Sequence, residues 1–394
     1  MNEVAFLVLL FLSVAMAIIL LPVMNRHFTK IDIPRGSRFG NIDGLRGFLA
    51  IFVFFHHYYI FYFWRLSGEW VSPGVSFIEK LGVASVSLFF MITGFLFLNK
   101  ISGGDIDWKK LFVSRFFRIM PLYLLVLLIT VFYSFLIFEF HLHTSVPILI
   151  KDVVKWFLFI GDEINSYPDS RRITAGVTWT LKYEWVFYLC LPVLYFFLKN
   201  KLLIYALVMC SILLYFHNIH ITPFFETKYI IFFMYGGVAN FFYTKLGGNE
   251  KVKTFIESKL CSWVALILLM YLFFSSGSIF DFDISFVAFL FFMLVVLGND
   301  LFGVLSLFSS KILGEISYSI YLLHGVVIYS LFFVLFDINM HVFFERWYFF
   351  LFMPVSTLVV VLVSLVSFSF IEKRFISLGR AISSGYFEKN KSIE

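Results

Sequence analysis

The stretch NIDGLRGFLAIFVFFHHYY, residues 41–59, sets Arg46 and the adjacent pair His56 and His57 in an otherwise apolar, aromatic run. Read as an α-helix, it puts Arg46 and His57, eleven residues apart, on one face to within roughly 20°. Their axial separation is roughly 16 Å, about half the hydrocarbon thickness of a bilayer. His56 is rotated about 100° away from that face. An imidazole can act as general base or nucleophile near neutral pH, and ionisable groups inside a membrane are candidates for function. The structural alternatives are an arginine that anchors the helix end and a histidine that bonds a neighbouring helix. The shared face favours chemistry.

Three further segments carry polar groups at helical spacing. SRFFRIMPLY holds Arg115 and Arg118, three apart and so neighbours on a helix surface, with Tyr123 beyond them. With Arg46 they make three arginines at one expected surface. A planar guanidinium suits phosphate, although positive-inside bias or lipid headgroups would also place arginines there. WTLKYEWVFYL begins with Trp179 and places Glu184 about one turn into an apolar run, with Tyr188 a turn deeper. A carboxylate in that setting suits a general base; a structural ion pair at the outer interface is the alternative. In GEISYSIYLLHGVV, Ser317, Tyr321 and His324 follow i, i+4, i+7. His324 is thereby expected at the depth of His57, either lining a polar cavity or bonding another helix. Gly94, in FFMITGFLF, reads as a close helix contact.

The elements that must position these groups are membrane spans. The 394 residues are 61% hydrophobic, 22% aromatic and 14% charged, with 57 phenylalanines, against roughly 45–50% apolar and 25% charged in soluble domains. The fold class is all-α, a polytopic transmembrane helix bundle of eleven expected spans: 4–23, 44–63, 79–99, 118–139, 180–198, 202–218, 229–244, 260–276, 284–299, 313–335 and 347–371. With the N-terminus outside and the C-terminus inside, 22 of the 31 basic residues fall on the cytoplasmic side. The first span lacks a basic leader and a cleavage site and is kept as a true span. The loop 140–179 reads as a partly ordered external cap. Cys190, Cys210 and Cys261 read as small buried hydrophobes rather than disulfide or zinc partners. The sequence holds no Walker A, GxGxxG, HExxH or GxSxG pattern and no metal-ligand cluster. The modest positive charge is explained by topology rather than by nucleic acid.

Taken in order, these pieces resemble the membrane-bound acyltransferase-3 family, whose members O-acylate bacterial surface polysaccharides. DGLRGFLAIFVFFHH is similar to its Arg-x10-His segment, and FFMITGFLF to its Phe-Phe-x-x-Ser/Thr-Gly-Phe segment. SRFFRIMPLY resembles its Arg-x-x-Arg segment, WTLKYEWVFYL its Trp-Ser-Leu-x-x-Glu segment, and ISYSIYLLHGVVI its Ser-Tyr-x-x-Tyr-x-x-His segment. FSFIEKRF resembles its closing Phe-Ile-Glu-x-Pro-Phe stretch, with Arg374 where proline is usual. The likeness runs over about 42–376. It divides the chain into an extra N-terminal span and linker at 1–41, a ten-span acyltransferase-like domain at 42–376 and a cytoplasmic tail at 377–394.

The resemblance implies an acyl-CoA donor, most often acetyl-CoA, entering from the cytoplasm. It implies no permanently bound cofactor. The acceptor would be a lipid-linked or surface glycan such as O-antigen, presented at the periplasmic face of a bacterial inner membrane. The expected site has Arg46, Arg115 and Arg118 on the donor's phosphates, His57 as base or acyl carrier, and Glu184 on the acceptor hydroxyl. Tyr123, Trp179, Tyr188, Ser317, Tyr321 and His324 would support the cavity. A transporter or flippase of a glycan-related substrate also needs many spans and mid-membrane polar groups, but inverted repeats and matched broken helices are not found. A polytopic glycosyltransferase would want an early external acidic pair, and Asp162–Glu163 comes late.

Overall fold

The computed structural model describes residues 3–33, 39–71, 74–198, 209, 220–222, 225–335 and 348–391. Among them the chain is all-helical apart from one small antiparallel pair. The first helices are α1 (Glu3–Met24), α2 (Gly40–Ser67), α3 (Ser76–Ser102) and α4 (Trp108–Leu136). Next come α5 (Val146–Phe157), the short α6 (Ser170–Ile173) and α7 (Trp179–Leu198). Strands β1 (His220–Thr222) and β2 (Phe225–Glu226) pair antiparallel. Then follow α8 (Ile230–Leu246), α9 (Glu250–Ile256), α10 (Lys259–Phe274), α11 (Phe282–Val296) and α12 (Phe308–Glu315). The last are α13 (Ser317–Tyr329), α14 (Tyr348–Leu351), α15 (Met353–Ser367) and α16 (Lys373–Lys391).

Six stretches among the described residues are long and apolar enough to cross a membrane: Val4–Thr29, Gly40–Ser67, Ser76–Ser102, Trp108–Leu136, Ser317–Val334 and Met353–Ser384. A seventh arises if α9 and α10, bent by 57°, count as one span. Helices occupy most of the other expected spans, but α8 and α11 have only 17 and 15 residues, short of the ~20 a perpendicular crossing needs. Expected span 202–218 lies outside the described residues except for Met209. Expected span 313–335 is interrupted at Ile316, so α13 starts four residues later than the hydropathy suggests. Cys261 is buried, but Cys190 is exposed on α7, which corrects its reading as a core residue; Cys210 lies outside the described residues.

The chain divides into two compact units. One comprises Asp32–Asp105 and Leu189–Ser317. Here α3 crosses α8 with backbone against backbone. A Cβ on Gly94 would sit 2.2 Å from the Phe233 carbonyl oxygen, and one on Gly236 2.2 Å from that of Met91. Only glycine permits that approach, so Gly94 is a packing residue. Lys80, buried in α3, donates from Nζ to the Ser275 carbonyl at 2.5 Å and to the Ser275 hydroxyl. It places a cation at the C-terminal end of α10, where the helix dipole is negative.

The other unit comprises Met1–Ile31, Ile106–Tyr188 and Tyr318–Glu394. The extra span α1 packs along α15 and brings Phe6 edge-on to Phe350, centroids 5.9 Å apart. Helix α4 starts at Asp107, whose carboxylate accepts the Lys110 N–H at 2.9 Å, an N-cap bond. It packs on α16, where Gly379 meets the Phe117 ring. The segment 140–179 is ordered: α5, a β-bridge between Ile164 and Tyr167, and α6. Ser134 bonds Ser170 at 2.9 Å and Tyr167 bonds Tyr329 at 3.0 Å, tying the segment to α4 and α13.

Candidate active site

Arg46 and His57 stand on one unbroken helix of 28 residues, α2. The run has no proline and an aliphatic and aromatic face that packs on α3 and α12. At ~1.5 Å per residue α2 is about 42 Å long, more than the ~30 Å hydrocarbon core. Arg46 lies in the second turn of this helix, as its seventh residue. Gly44 and Gly47 flank Arg46. A Cβ on Gly44 would lie 2.1 Å from the Leu305 carbonyl oxygen, and one on Gly47 2.5 Å from Leu313 Cβ. The glycines thus seat this end of α2 on α12 and its preceding loop. Arg46, half-buried, pairs with Asp43 at 3.7 Å.

The two histidines are held differently. His56 Nδ1 bonds the Ile78 carbonyl of α3 at 2.8 Å, and its ring lies against Gly82, where a Cβ would come within 2.6 Å. It bridges two helices. His57 Nδ1 bonds the Val53 carbonyl of its own helix at 3.1 Å. A carbonyl can only accept, so Nδ1 is the protonated nitrogen and, in the neutral ring, Nε2 holds the basic lone pair. The two rings stand edge to face, centroids 4.8 Å apart.

The remaining candidates, Ser317 apart, lie in the other unit. The Tyr188 hydroxyl donates to Glu184 Oε2 at 3.0 Å, one turn back on α7, and also takes part in a hydrogen bond with Arg115 of α4. Tyr318, at the start of α13, donates to the Ile119 carbonyl at 2.8 Å and lies in electrostatic range of Glu372, Glu184, Tyr123 and Arg118. Its neighbour Ser319 donates to Glu372 Oε1. Arginines, tyrosines and two carboxylates from α4, α7, α13 and the π-helical turn Phe368–Glu372 thus form one polar cluster.

Glu184 lies about one turn into α7, as its position in the sequence suggests, and its level is set by the turn that precedes the helix. The turn before α7 runs beside the middle of α13. A Cβ on Gly325 would sit 2.4 Å from the Thr174 carbonyl carbon, and Thr180 bonds Tyr321 at 2.9 Å. The helix begins at that level, and Glu184 comes level with the arginine turn of α4.

Trp179 opens α7 with its ring edge-on to Tyr183 at 5.5 Å. Tyr123 is fully buried and donates to the Trp156 carbonyl. Tyr321 also donates to the Val177 carbonyl at 3.3 Å. His324 is fully buried, with Nδ1 on the Ile320 carbonyl at 3.0 Å, the same anchoring that His57 has. Ser317 donates to the Gly314 carbonyl at 2.7 Å. Tyr318 and Glu372 lie in the family-like segments ISYSIYLLHGVVI and FSFIEKRF but carry no site role in the sequence reading. A glutamate within the apolar run FSFIEKRF was the available signal. Among the described residues no three His, Cys, Asp or Glu side chains gather to hold a metal ion.

The acyltransferase domain family, acyltransferase-3, matches residues 39–366. The chain belongs to this family. It is a multi-pass membrane acyltransferase. The acyltransferase is 27% identical over 302 residues to "Putative acetyltransferase ORF330" of Acidianus two-tailed virus, covering 72% of this chain and 81% of that protein. It is 30% identical over 186 residues to "Acyltransferase MdmB" of Streptomyces mycarofaciens, covering 45% of this chain and 44% of that protein. No solved structure matches it. The family match takes in α2 through nearly all of α15 and so includes both groups of candidate residues.

Proposed function

We propose that the acyltransferase moves an acetyl group from cytoplasmic acetyl-CoA to a hydroxyl of a surface glycan. The enzyme would sit in a bacterial inner membrane with eleven spans, N-terminus outside and C-terminus inside. Residues 42–376 would form the catalytic domain, with 1–41 a preceding span and linker and 377–394 a tail. The observation that carries this reading is the α2 axis: Arg46 at one end of an unbroken helix, His57 eleven residues along the same face. A guanidinium at the membrane surface fits a CoA phosphate. An imidazole about 16 Å deeper fits a thioester carried inward on a pantetheine arm.

Nε2 of His57 takes the acceptor's hydroxyl proton. The acceptor oxygen attacks the thioester carbonyl, the C–O bond forms, the C–S bond breaks, and the CoA thiolate leaves and takes up a proton. In a two-step variant Nε2 first accepts the acyl group itself. Arg115 and Arg118 would bind donor phosphates with Arg46. Glu184, joined to Arg115 through Tyr188, fits a role in holding that arginine toward the donor better than one on the acceptor. Tyr123, Trp179, Ser317, Tyr321 and His324 would shape the cavity. The viral relative's printed name, an acetyltransferase, agrees with acetyl as the group moved.

Mass spectrometry of surface glycan from cells with and without the protein tests the reaction. An added acetyl mass supports it. Altered glycan abundance with no new mass supports the flippase reading instead, and an added sugar a glycosyltransferase.

A further inference from the structure

Helix α5 has a surplus of apolar surface. Viewed down its axis, the arc from Trp156 and Leu149 through Val146, Phe157 and Ile150 to Val154 spans roughly 160°, wider than the ~100° stripe that seats a helix on one partner. Charge is confined to the far side, with Lys151 there and Asp152 paired with Lys155 at 3.3 Å. One edge of the arc is used: Trp156 and Leu149 pack on Leu127 and Val131 of α4. The Tyr123 bond to the Trp156 carbonyl pins the C-terminal end of α5 at a level thirteen residues short of the end of α4 at Leu136. The other edge is bare, with Ile150 59% exposed, Val154 51% and Phe157 45%.

That bare edge adjoins the exposed apolar side of a candidate membrane span. On α4, a helix long and apolar enough to cross a membrane, Leu128 (66% exposed) and Phe132 (51%) stand one turn apart as bare apolar side chains. They lie one residue on from Leu127 and Val131, where α5 is seated. Phe140 packs its ring 5.8 Å from Phe132 and carries the same surface into the loop that leads to α5. We propose that α5 is a half-helix sunk into the membrane leaflet at the C-terminal end of α4, its Ile150–Val154 edge in contact with lipid acyl chains and Lys151 turned away from them.

The occupant is lipid rather than a soluble partner because the edge adjoins the exposed apolar side of a candidate membrane span. At membrane depth the backbone must also be satisfied internally, which a helix achieves. The test uses nitroxide labels on single cysteines at Ile150, Val154 and Lys151, with Leu128 on α4 as lipid reference, in the full chain reconstituted in phosphatidylcholine–phosphatidylglycerol vesicles. Collision rates are read with oxygen, which concentrates in lipid, and with a water-soluble nickel chelate. Labels at Ile150 and Val154 are expected to match Leu128, with oxygen dominant, and Lys151 to favour the chelate. Chelate collisions at Ile150 and Val154 equal to those at Lys151 would overturn the proposal, as would protection from both reagents, the pattern of a protein-covered face. A second readout, quenching of bimane on the same cysteines by lipids brominated at defined acyl carbons, applies even where a label weakens packing. Quenching at Lys151 equal to that at Ile150 overturns the proposal.

Discussion

Tyr188 donates a hydrogen bond to Glu184 across 3.0 Å, and the same hydroxyl meets Arg115 of α4. A carboxylate, a phenol and a guanidinium from two helices are thereby linked in one chain. Such a chain fixes an arginine's direction, and the direction of a guanidinium decides whether it can bind phosphate bidentately. Tyr188→Phe removes the link with little change of volume. We expect the KM for acyl-CoA to rise roughly tenfold, the equivalent of ~1.4 kcal/mol, with kcat and the acceptor KM little changed. Initial rates at varied donor and acceptor separate the two, and a change confined to the acceptor KM would count against this role.

Arg46 is expected to hold phosphate with its planar fork. Arg46→Lys keeps the charge and loses the fork, so donor affinity should fall about tenfold or more while His57 remains in place. Equilibrium binding of acetyl-CoA to the purified protein measures this, and unchanged affinity would remove Arg46 from the donor site.

Glu372 is fully buried and accepts from Ser319. Glu372→Ala leaves the Ser319 hydroxyl without that acceptor and opens a cavity, for a loss of about 2–4 kcal/mol of stability. Glu372→Gln restores an acceptor oxygen and should recover most of it. Thermal unfolding in detergent reads both, and Gln and Ala variants of equal stability would show that the bond is not what matters.

Backbone crossings make a sharper case. Alanine at Gly94 or Gly314 would put a Cβ 2.2 or 2.0 Å from a carbonyl oxygen, and helices cannot shift apart without losing their packing. Both variants should accumulate poorly in the membrane. Gly248→Ala, where a Cβ meets nothing within 4 Å, should behave as the parent. Equal yields of all three would contradict the contact geometry.

Much of this site is legible from α2 alone, because Arg46 and His57 lie in one unbroken helix and helical geometry then fixes their shared face. The neighbours of Glu184 are not legible in the same way, because counting along α7 does not say which residues of other helices stand level with it. The turn at 174–178 runs beside α13 before α7 starts, a consequence of the Tyr321–Thr180 bond and the Gly325 contact. Glu372 and Tyr318 fall in family-like segments, yet their place in the cluster is hidden for a related reason. Their partners, Ser319 and Ile119, are 53 and 199 residues away in the chain, and no local pattern encodes such pairings. Lys80, near the start of the expected span 79–99, bonds the Ser275 carbonyl at the end of α10, another pairing that no local pattern encodes.

The measurement that bears most directly on the mechanism compares His57→Ala with His56→Ala in a glycan O-acetylation assay, with rates taken per folded protein. His56 bridges α2 to α3 through the Ile78 carbonyl, so its loss should lower thermal stability by about 1 kcal/mol and leave the rate within a few-fold of the parent. His57→Ala should fold normally and lose at least about a hundredfold in kcat. Full activity without His57, or equal losses in the two variants, would contradict the assignment of His57 as the group that takes the hydroxyl proton.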